Sequence, residues 1–204
     1  MFARTERLLL RPGFAEDAPE LARAIGEEAI VRNLATAPWP YGEDDAQMFL
    51  EMERDPLHPQ LLMIMRTAGQ PQIVGGIGYG PRGNSDALEL GYWVARPYWG
   101  LGLATEAGRA VLSMARANGV RRLHAGHFAD NPASGAVLRK LGFRPTGSTA
   151  PLFSKARGRE ADCALFECDL AADAAADTER MPVGSRGRVA PEDDFREAIR
   201  LMAA

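Results

Sequence analysis

The feature that most constrains the fold is a change of hydrophobic period in the middle of the chain. Residues 87–94 alternate with the period of a β-strand. From Ala104 the period becomes that of an amphipathic helix, which Asn118 and Gly119 end. Two glycines, Gly100 and Gly102, lie in the short loop between them, so this part of the chain is a strand–loop–helix unit. The apolar stripe of the helix comprises Ala104, Ala107, Gly108, Val111, Leu112 and Ala115.

Further strands and helices are predicted on both sides of this unit. Before it, the pattern predicts strands at 5–11, 61–66 and 73–79, a helix at 17–25, and a helix from Glu43 with an apolar face of Met48, Phe49 and Met52. After it come a strand at 123–128, a short helix capped by Asn131, and strands from Phe143 and at 161–170. Antiparallel strands followed by a strand–helix–strand unit predict an α+β fold with a mixed, mostly antiparallel central sheet and helices on both faces.

Composition excludes several classes of protein. A formal charge of −3 argues against binding nucleic acid by bulk charge, and 46% hydrophobic with 25% charged residues is typical of a globular chain. The longest apolar run, at 61–65, is far too short to span a membrane. The N-terminus lacks the apolar segment of a signal peptide, so a cytoplasmic protein is expected. Cys163 and Cys168 are expected on opposite faces of one strand, which disfavours a disulfide between them.

The chain is predicted to comprise one domain, residues 1–170, and a tail, residues 171–204. The tail is rich in alanine and charge and reads as a linker followed by a short amphipathic helix. Phe195, Ile199 and Met202 form its apolar stripe. So short a helix is marginal alone: either it is disordered, or it docks on its own domain or on a second copy of the chain in a homodimer, and docking is the favoured alternative.

The loop at 94–105 is a candidate anion site. Gly100 and Gly102 permit backbone conformations that other residues resist, and the helix that follows directs unpaired N–H groups towards the loop. Such a site suits a pyrophosphate, although the same pattern also serves as an ordinary tight turn. No Gly-Lys-Ser/Thr follows, and antiparallel strands precede the loop. These features exclude a phosphate loop of the nucleoside triphosphatase kind and a dinucleotide-binding fold.

Three segments together resemble the GNAT superfamily of acetyl-coenzyme A-dependent N-acetyltransferases. They are Glu89-Leu-Gly-Tyr-Trp-Val94, Trp99-Gly-Leu-Gly-Leu-Ala104 and the run from Asn131 to Phe143. The opening residues 4–11 resemble the branch that contains the Rim-type ribosomal-protein acetyltransferases. The resemblance covers about residues 5–170 and excludes the tail.

This resemblance implies acetyl-coenzyme A as co-substrate and requires no metal. The family's pyrophosphate loop reads Gln/Arg-x-x-Gly-x-Gly/Ala, and here Trp99 replaces the usual Gln or Arg, which leaves the backbone N–H groups as the main ligands. The coenzyme-binding residues implied are Trp93, Val94, Trp99, Gly100, Leu101, Gly102, Leu103, Ala104, Thr105, Asn131, Ser134 and Lys140.

Glu89 is the candidate general base. Strand alternation places Glu89 and Trp93 on one face and Leu90 and Tyr92 on the other. An amine acceptor arrives protonated and must lose that proton, which a carboxylate can accept. The resemblance places the base at this position, whereas an exposed strand glutamate is the structural alternative.

Asn131 and Ser134 begin the short helix. Asn131 before Pro132 is an efficient helix cap, and the resemblance adds a contact with the pantetheine arm. Many members use a tyrosine seven residues after this Asn to protonate the thiolate, but that position here is Leu138. The resemblance transfers the role to Ser134, with a purely structural hydrogen bond at the helix start as the alternative.

The resemblance implies a small-molecule or peptide amine as acceptor, and no nucleic acid or membrane is expected as partner. Trp39 and Tyr41 are predicted to line its pocket, and His127 with Asp130 is a minor candidate for the site. The expected reaction moves the acetyl group directly to the amine in a ternary complex. The alternative function is a non-catalytic coenzyme A sensor of the same fold.

Overall fold

The computed structural model describes residues 1–53, 55–66, 70–81 and 86–171, which form one sheet with helices on both faces. The strands are β1 Ala3–Arg4, β2 Leu8–Arg11, β3 Gln60–Met65, β4 Gln72–Pro81, β5 Leu88–Val94, β6 Arg122–Phe128, β7 Arg144–Ser154 and β8 Arg159–Asp169. The α-helices are α1 Ala18–Ile25, α2 Glu28–Val31, α3 Glu43–Glu51, α4 Leu103–Ala117 and α5 Pro132–Lys140. None of these helices is long and apolar enough to cross a membrane.

The sheet has eight strands in the order β1-β2-β3-β4-β5-β6-β8-β7. Every neighbouring pair is antiparallel except β5 and β6, which run parallel. The predicted mixed, mostly antiparallel sheet is therefore confirmed. In the described residues, β5 and β6 are in register only at Glu89 and His124. Beyond that pair the two strands lie apart towards their carboxyl ends, which opens the sheet in its middle.

The two faces of the sheet carry separate cores. On one face, α4 packs its stripe of Leu103, Ala107 and Val111 against Leu90 and Leu123 of the sheet. On the other face, α1, α2 and α3 cover Leu62, Ile64 and Ile73. As predicted, Cys163 and Cys168 pack into different clusters, on opposite faces of β8.

Of the predicted apolar face of α3, Phe49 is correct and the two methionines are wrong. Met48 and Met52 are 69% and 64% exposed, while Ala46 is buried and Phe49 and Leu50 pack into the core. Both sets of residues have helical spacing, and the loop that leads into α3 orients it by tertiary contacts. Helix α2 was not predicted, because a four-residue helix shows no period.

The end of the described chain follows β8 directly. Leu170 is buried in the core beneath α4, and its backbone N–H donates to the carbonyl of Arg121. The predicted linker and amphipathic helix of the tail lie, from residue 172 onwards, outside the described residues.

Candidate active site

A cavity of about 700 Å³ lies where β5 and β6 separate. Its walls come from β5, the loop before α4, the end of β6, the first turns of α5, and residues 33–36, which follow α2 and are called the 33–36 segment below. The lining includes most of the site residues predicted from the sequence. These are Glu89, Trp93, Val94, Trp99, Gly100, Gly102, Leu103, Ala104, Thr105, Asn131, Ser134 and Lys140.

Three of the predicted site residues lie elsewhere. Leu101 is 52% exposed and contributes its carbonyl to a bond with Arg7. Trp39 and Tyr41, the predicted acceptor wall, do not line this cavity. Trp39 is 44% exposed, and Tyr41 packs with the core under α1 and α3, where burial raises its pKa to about 12. The 33–36 segment lines the cavity instead.

The loop before α4 has the backbone of an anion site. Gly100 and Gly102 have φ of 75° and 77°, a left-handed conformation that favours glycine, and α4 begins at Leu103 directly afterwards. The first N–H groups of α4 therefore face a loop without side chains at two positions. Backbone donors at a helix N-terminus bind phosphate oxygens, and the helix dipole favours negative charge there.

An ion pair holds this loop from its outer side. The Arg7 guanidinium bonds the Glu106 carboxylate at 2.7 Å and the Leu101 carbonyl at 2.9 Å. The other Glu106 oxygen accepts from the Thr5 hydroxyl and the Arg7 backbone N–H. Burial raises the pKa of Glu106, but these bonds and the Arg7 charge outweigh burial, so that the pKa lies below its usual value.

Replacing Glu106 by glutamine tests this support. A carboxyl whose pKa is lowered on folding stabilises the protein above its unfolded pKa, about 4.3, and loses that contribution as the pH falls through the folded pKa. We expect Glu106→Gln to lower the free energy of unfolding by about 1–2 kcal/mol at pH 7, with the difference vanishing in acid. Urea unfolding at pH 7 and at acid pH measures the difference in the free energy of unfolding. Glu6→Gln, at an exposed neighbouring position, is the control, and an equal loss in the control would contradict the assignment.

Backbone groups of β5 face the open side of the sheet. The Ala95 N–H donates to the Val74 carbonyl of β4. The register with β4 then directs the backbone N–H and C=O groups of Trp93 towards β4, and those of Tyr92 and Val94 towards β6. The Val94 carbonyl accepts a hydrogen bond from Trp99 Nε1 at 2.6 Å. The Trp99 side chain is thereby fixed beside the phosphate loop, and the N–H of Val94 points into the gap.

Glu89 lies at the closed end of this gap. It is partly buried, lines the cavity, and is paired in register with His124. Burial lowers the pKa of His124, an effect that the charges of Glu167 and Glu89 only partly offset. His124 is therefore a neutral imidazole near pH 7. A carboxylate beside a neutral imidazole at a cavity wall can accept a proton from a bound amine.

His127 and Asp130 do not form a pair. His127 lines the cavity and places Nδ1 2.9 Å from the Phe128 carbonyl. The Asp130 carboxylate instead bonds Arg157 and Arg32, and these bonds lower its pKa. Within the described ranges, no three His, Cys, Asp or Glu side chains come together as a metal-binding group.

The start of α5 brings Ser134 to the opposite wall. Asn131 caps the helix by accepting from the Ser134 backbone N–H at 3.4 Å, as predicted. The Ser134 hydroxyl lies 2.7 Å from the hydroxyl of Tyr92, which reaches across from β5. Leu138 is completely buried in the core. Sequence analysis placed Tyr92 on the Leu90 face but gave it no function, because only the tertiary structure joins it to Ser134.

Hydrogen bonds of Arg157 connect the 33–36 segment and the residue before it to the turn between β7 and β8. Its side chain is 6% exposed and bonds the carbonyl of Arg32 at 2.6 Å, both oxygens of Asp130, and Asn33 Oδ1 at 3.4 Å. The same turn makes two further bonds to the segment, Ser154 Oγ to Leu34 O and Lys155 N to Ala35 O. Sequence analysis missed this arginine, since its partners are remote in the chain.

The site thus combines a parallel strand pair that separates within an otherwise antiparallel sheet with a glycine loop and a helix N-terminus at its mouth. Residues 7–144 match the family described as the acetyltransferase (GNAT) domain. The chain therefore belongs to the GNAT acetyltransferase family and is an acyltransferase. The predicted family is confirmed.

Individual relatives agree with this assignment. The chain is 25% identical to the N-acetyltransferase p20 of Bacillus licheniformis over 167 residues, which cover 79% of this chain and 92% of that protein. A GNAT-family acetyltransferase structure from Bacillus anthracis has a TM-score of 0.71 at 20% identity, covering 84% of this chain and 99% of that one. The ribosomal-protein-S5-alanine acetyltransferase of Vibrio fischeri has a TM-score of 0.67 at 19% identity, covering 83% and 96%. At these identities the solved structures are similar in fold.

Proposed function

We propose that this protein transfers an acetyl group from acetyl-coenzyme A directly to a primary amine in a ternary complex. Acetyl transfer is the activity implied by membership of the GNAT acetyltransferase family. The observation that carries the proposal is a single cavity that joins a phosphate-binding loop, a free strand edge and a carboxylate. Two substrates can meet there without a covalent enzyme intermediate, because the coenzyme loop and Glu89 line the same space.

The coenzyme site follows from the backbone. The N–H groups at the start of α4 hold the pyrophosphate, while Asn131 and Lys140 line the α5 side of the cavity. The pantetheine arm fits the gap between β5 and β6, where strand pairing is missing. The Val94 N–H is positioned to bond the thioester oxygen as negative charge develops on it.

The chemical step needs one base and one leaving group. Glu89 accepts a proton from the bound ammonium, directly or through water, and the free amine then attacks the thioester carbon. A C–N bond forms, the C–S bond breaks with its electron pair on sulfur, and the nitrogen loses its second proton to water as the amide forms. Ser134 lies on the α5 wall, where it can hydrogen-bond the departing thiolate.

The acceptor is a small-molecule or peptide amine that enters beside the 33–36 segment. Measurement of coenzyme A thiol release with a panel of amines and peptide N-termini tests the proposal. Release that depends on both acetyl-coenzyme A and an amine supports it. Tight coenzyme binding without release on any amine would favour a coenzyme A sensor.

Arg157→Met tests the role of the 33–36 segment as the acceptor wall. Loss of the guanidinium removes the bonds to Asp130, Arg32 and Asn33, so we expect the KM for the acceptor to rise about tenfold. The Kd for acetyl-coenzyme A should change less than about twofold, because the phosphate loop lies on other elements. Steady-state kinetics and calorimetry measure the two constants. Arg159→Met, an exposed change on the same hairpin, is the control. If Arg157→Met changed the KM for the acceptor and the Kd for acetyl-coenzyme A equally, a local role of Arg157 would be contradicted.

A further inference from the structure

Tyr92 places a phenol in the site from an unexpected direction. Its ring leaves β5 on the face covered by α4 and α5 and packs against that core. Its hydroxyl lies 2.7 Å from Ser134 Oγ and 3.1 Å from the Ser134 carbonyl. Both residues line the cavity. The chain thus has a phenol at the start of α5 although the family's usual tyrosine position is Leu138.

The environment keeps this phenol protonated. Burial raises the pKa of Tyr92 to about 12, and the bond to Ser134 only partly opposes that increase. At working pH the Tyr92 hydroxyl is therefore a hydrogen-bond donor. Its single hydrogen can be donated either to the Ser134 hydroxyl oxygen, at 2.7 Å, or to the Ser134 carbonyl oxygen, at 3.1 Å.

We propose that Tyr92 is a positioning residue which, by donating to Ser134 Oγ, directs the single hydroxyl hydrogen of Ser134 towards the coenzyme A thiolate. This inference rests on the proposed acetyl transfer. A serine hydroxyl has one hydrogen, and if Oγ accepts from Tyr92, that hydrogen is available to a group in the cavity. Developing charge on sulfur selects this arrangement over the alternative, in which Tyr92 donates its hydrogen to the Ser134 carbonyl and Ser134 Oγ donates to Tyr92. Donation by Tyr92 also strengthens Ser134 as a donor.

The pair stabilises the thiolate without giving up a proton. A thiol has a pKa of about 8.5, far below that of the buried phenol, so proton transfer from the pair to sulfur is unfavourable. The C–S electron pair remains on sulfur as an anion held by the Ser134 hydrogen bond. The first ammonium proton has gone to Glu89, the second leaves the nitrogen for water as the amide forms, and the thiolate takes up a proton from water after release.

Tyr92→Phe removes the hydroxyl and keeps the ring. We expect kcat to fall about tenfold with the KM for acetyl-coenzyme A within about twofold, since the interaction is made with the leaving group. A second readout is the pH titration of enzyme-bound coenzyme A, followed by the ultraviolet absorbance of its thiolate. The bound thiol should titrate at a higher pH in the variant than in the wild type.

Two further variants make the test specific. Tyr79→Phe removes another buried hydroxyl, on the neighbouring strand β4, which accepts from Asn118 at the end of α4, and should leave kcat and the thiol titration unchanged. In a Ser134→Ala background, Tyr92→Phe should cause no further loss, because Tyr92 acts through Ser134. Additive losses, or an unchanged thiol titration in Tyr92→Phe, would overturn the inference.

The outcome for the wild type separates this inference from the proposed function. Absence of thiol release by the wild type on every amine would refute the acetyl transfer itself. An active wild type with an equally active Tyr92→Phe variant would refute only the role of Tyr92. If Tyr92→Phe fails to fold, Ser134→Ala carries the decision, and an unchanged thiol titration in it would overturn the inference.

Discussion

Gly102→Asp is expected to weaken acetyl-coenzyme A binding by about 100-fold or more. Gly102 precedes the first residue of α4 and has a φ of 77°. Aspartate tolerates this left-handed conformation better than most residues, so the fold should persist. A Cβ at this position would lie 3.8 Å from Arg7 Nη2. The carboxylate would bring negative charge next to the N–H groups proposed to hold the pyrophosphate, and like charges in contact cost several kcal/mol.

Thermal unfolding with and without coenzyme measures this effect. A ligand at about 100 times its Kd stabilises the native state by about 2.7 kcal/mol, and the variant at the same concentration should show almost none of that increase. Gly102→Asn has the same size without the charge and should weaken binding less. Gly119→Asp places the same residue at a φ of 78° past the end of α4 and should leave binding unchanged. An unchanged thermal shift in Gly102→Asp would place the phosphate site elsewhere.

The elements that were correctly predicted are those whose signals are local. Helix α4 has four turns of regular apolar spacing, and α5 has Asn131 and Pro132 at its start, so both could be located within a residue or two. The apolar face of α3 could not. Met48 with Met52 and Ala46 with Leu50 have the same spacing, and only contacts with α1 and β3 select the second pair.

The candidate site divides in the same way. Glu89, Gly102, Asn131 and Ser134 belong to short motifs, and the fold brings them to one cavity. Arg157 contacts the backbone of Arg32, 125 positions away, and no local pattern could reveal that bond. The expectation for Trp39 and Tyr41 rested on residue type alone. Large aromatic side chains also serve as core, as Tyr41 does here.

Glu89→Gln is expected to reduce turnover about 100-fold or more at neutral pH while coenzyme binding persists. Glutamine keeps the shape of the side chain and removes its ability to accept a proton, and general base catalysis contributes about 10²–10⁴-fold. The phosphate loop is built from other elements, so the Kd for acetyl-coenzyme A should change little. Single-turnover acetyl transfer separates the chemical step from binding.

The neighbouring histidines provide the decisive comparison. In the wild type a bound ammonium can lose its proton to Glu89, whereas in Glu89→Gln only an amine that arrives unprotonated can react. We therefore expect kcat/KM for the amine to rise more steeply with pH in the variant than in the wild type. His127 lines the cavity and His124 is paired with Glu89, so each could accept the proton if Glu89 did not. Full activity of Glu89→Gln together with loss in His127→Gln or His124→Gln would transfer the role. Loss of activity in Glu89→Gln, with both histidine variants active, would assign the role of base to the Glu89 carboxylate. A base must be within hydrogen-bond reach of the proton that it removes.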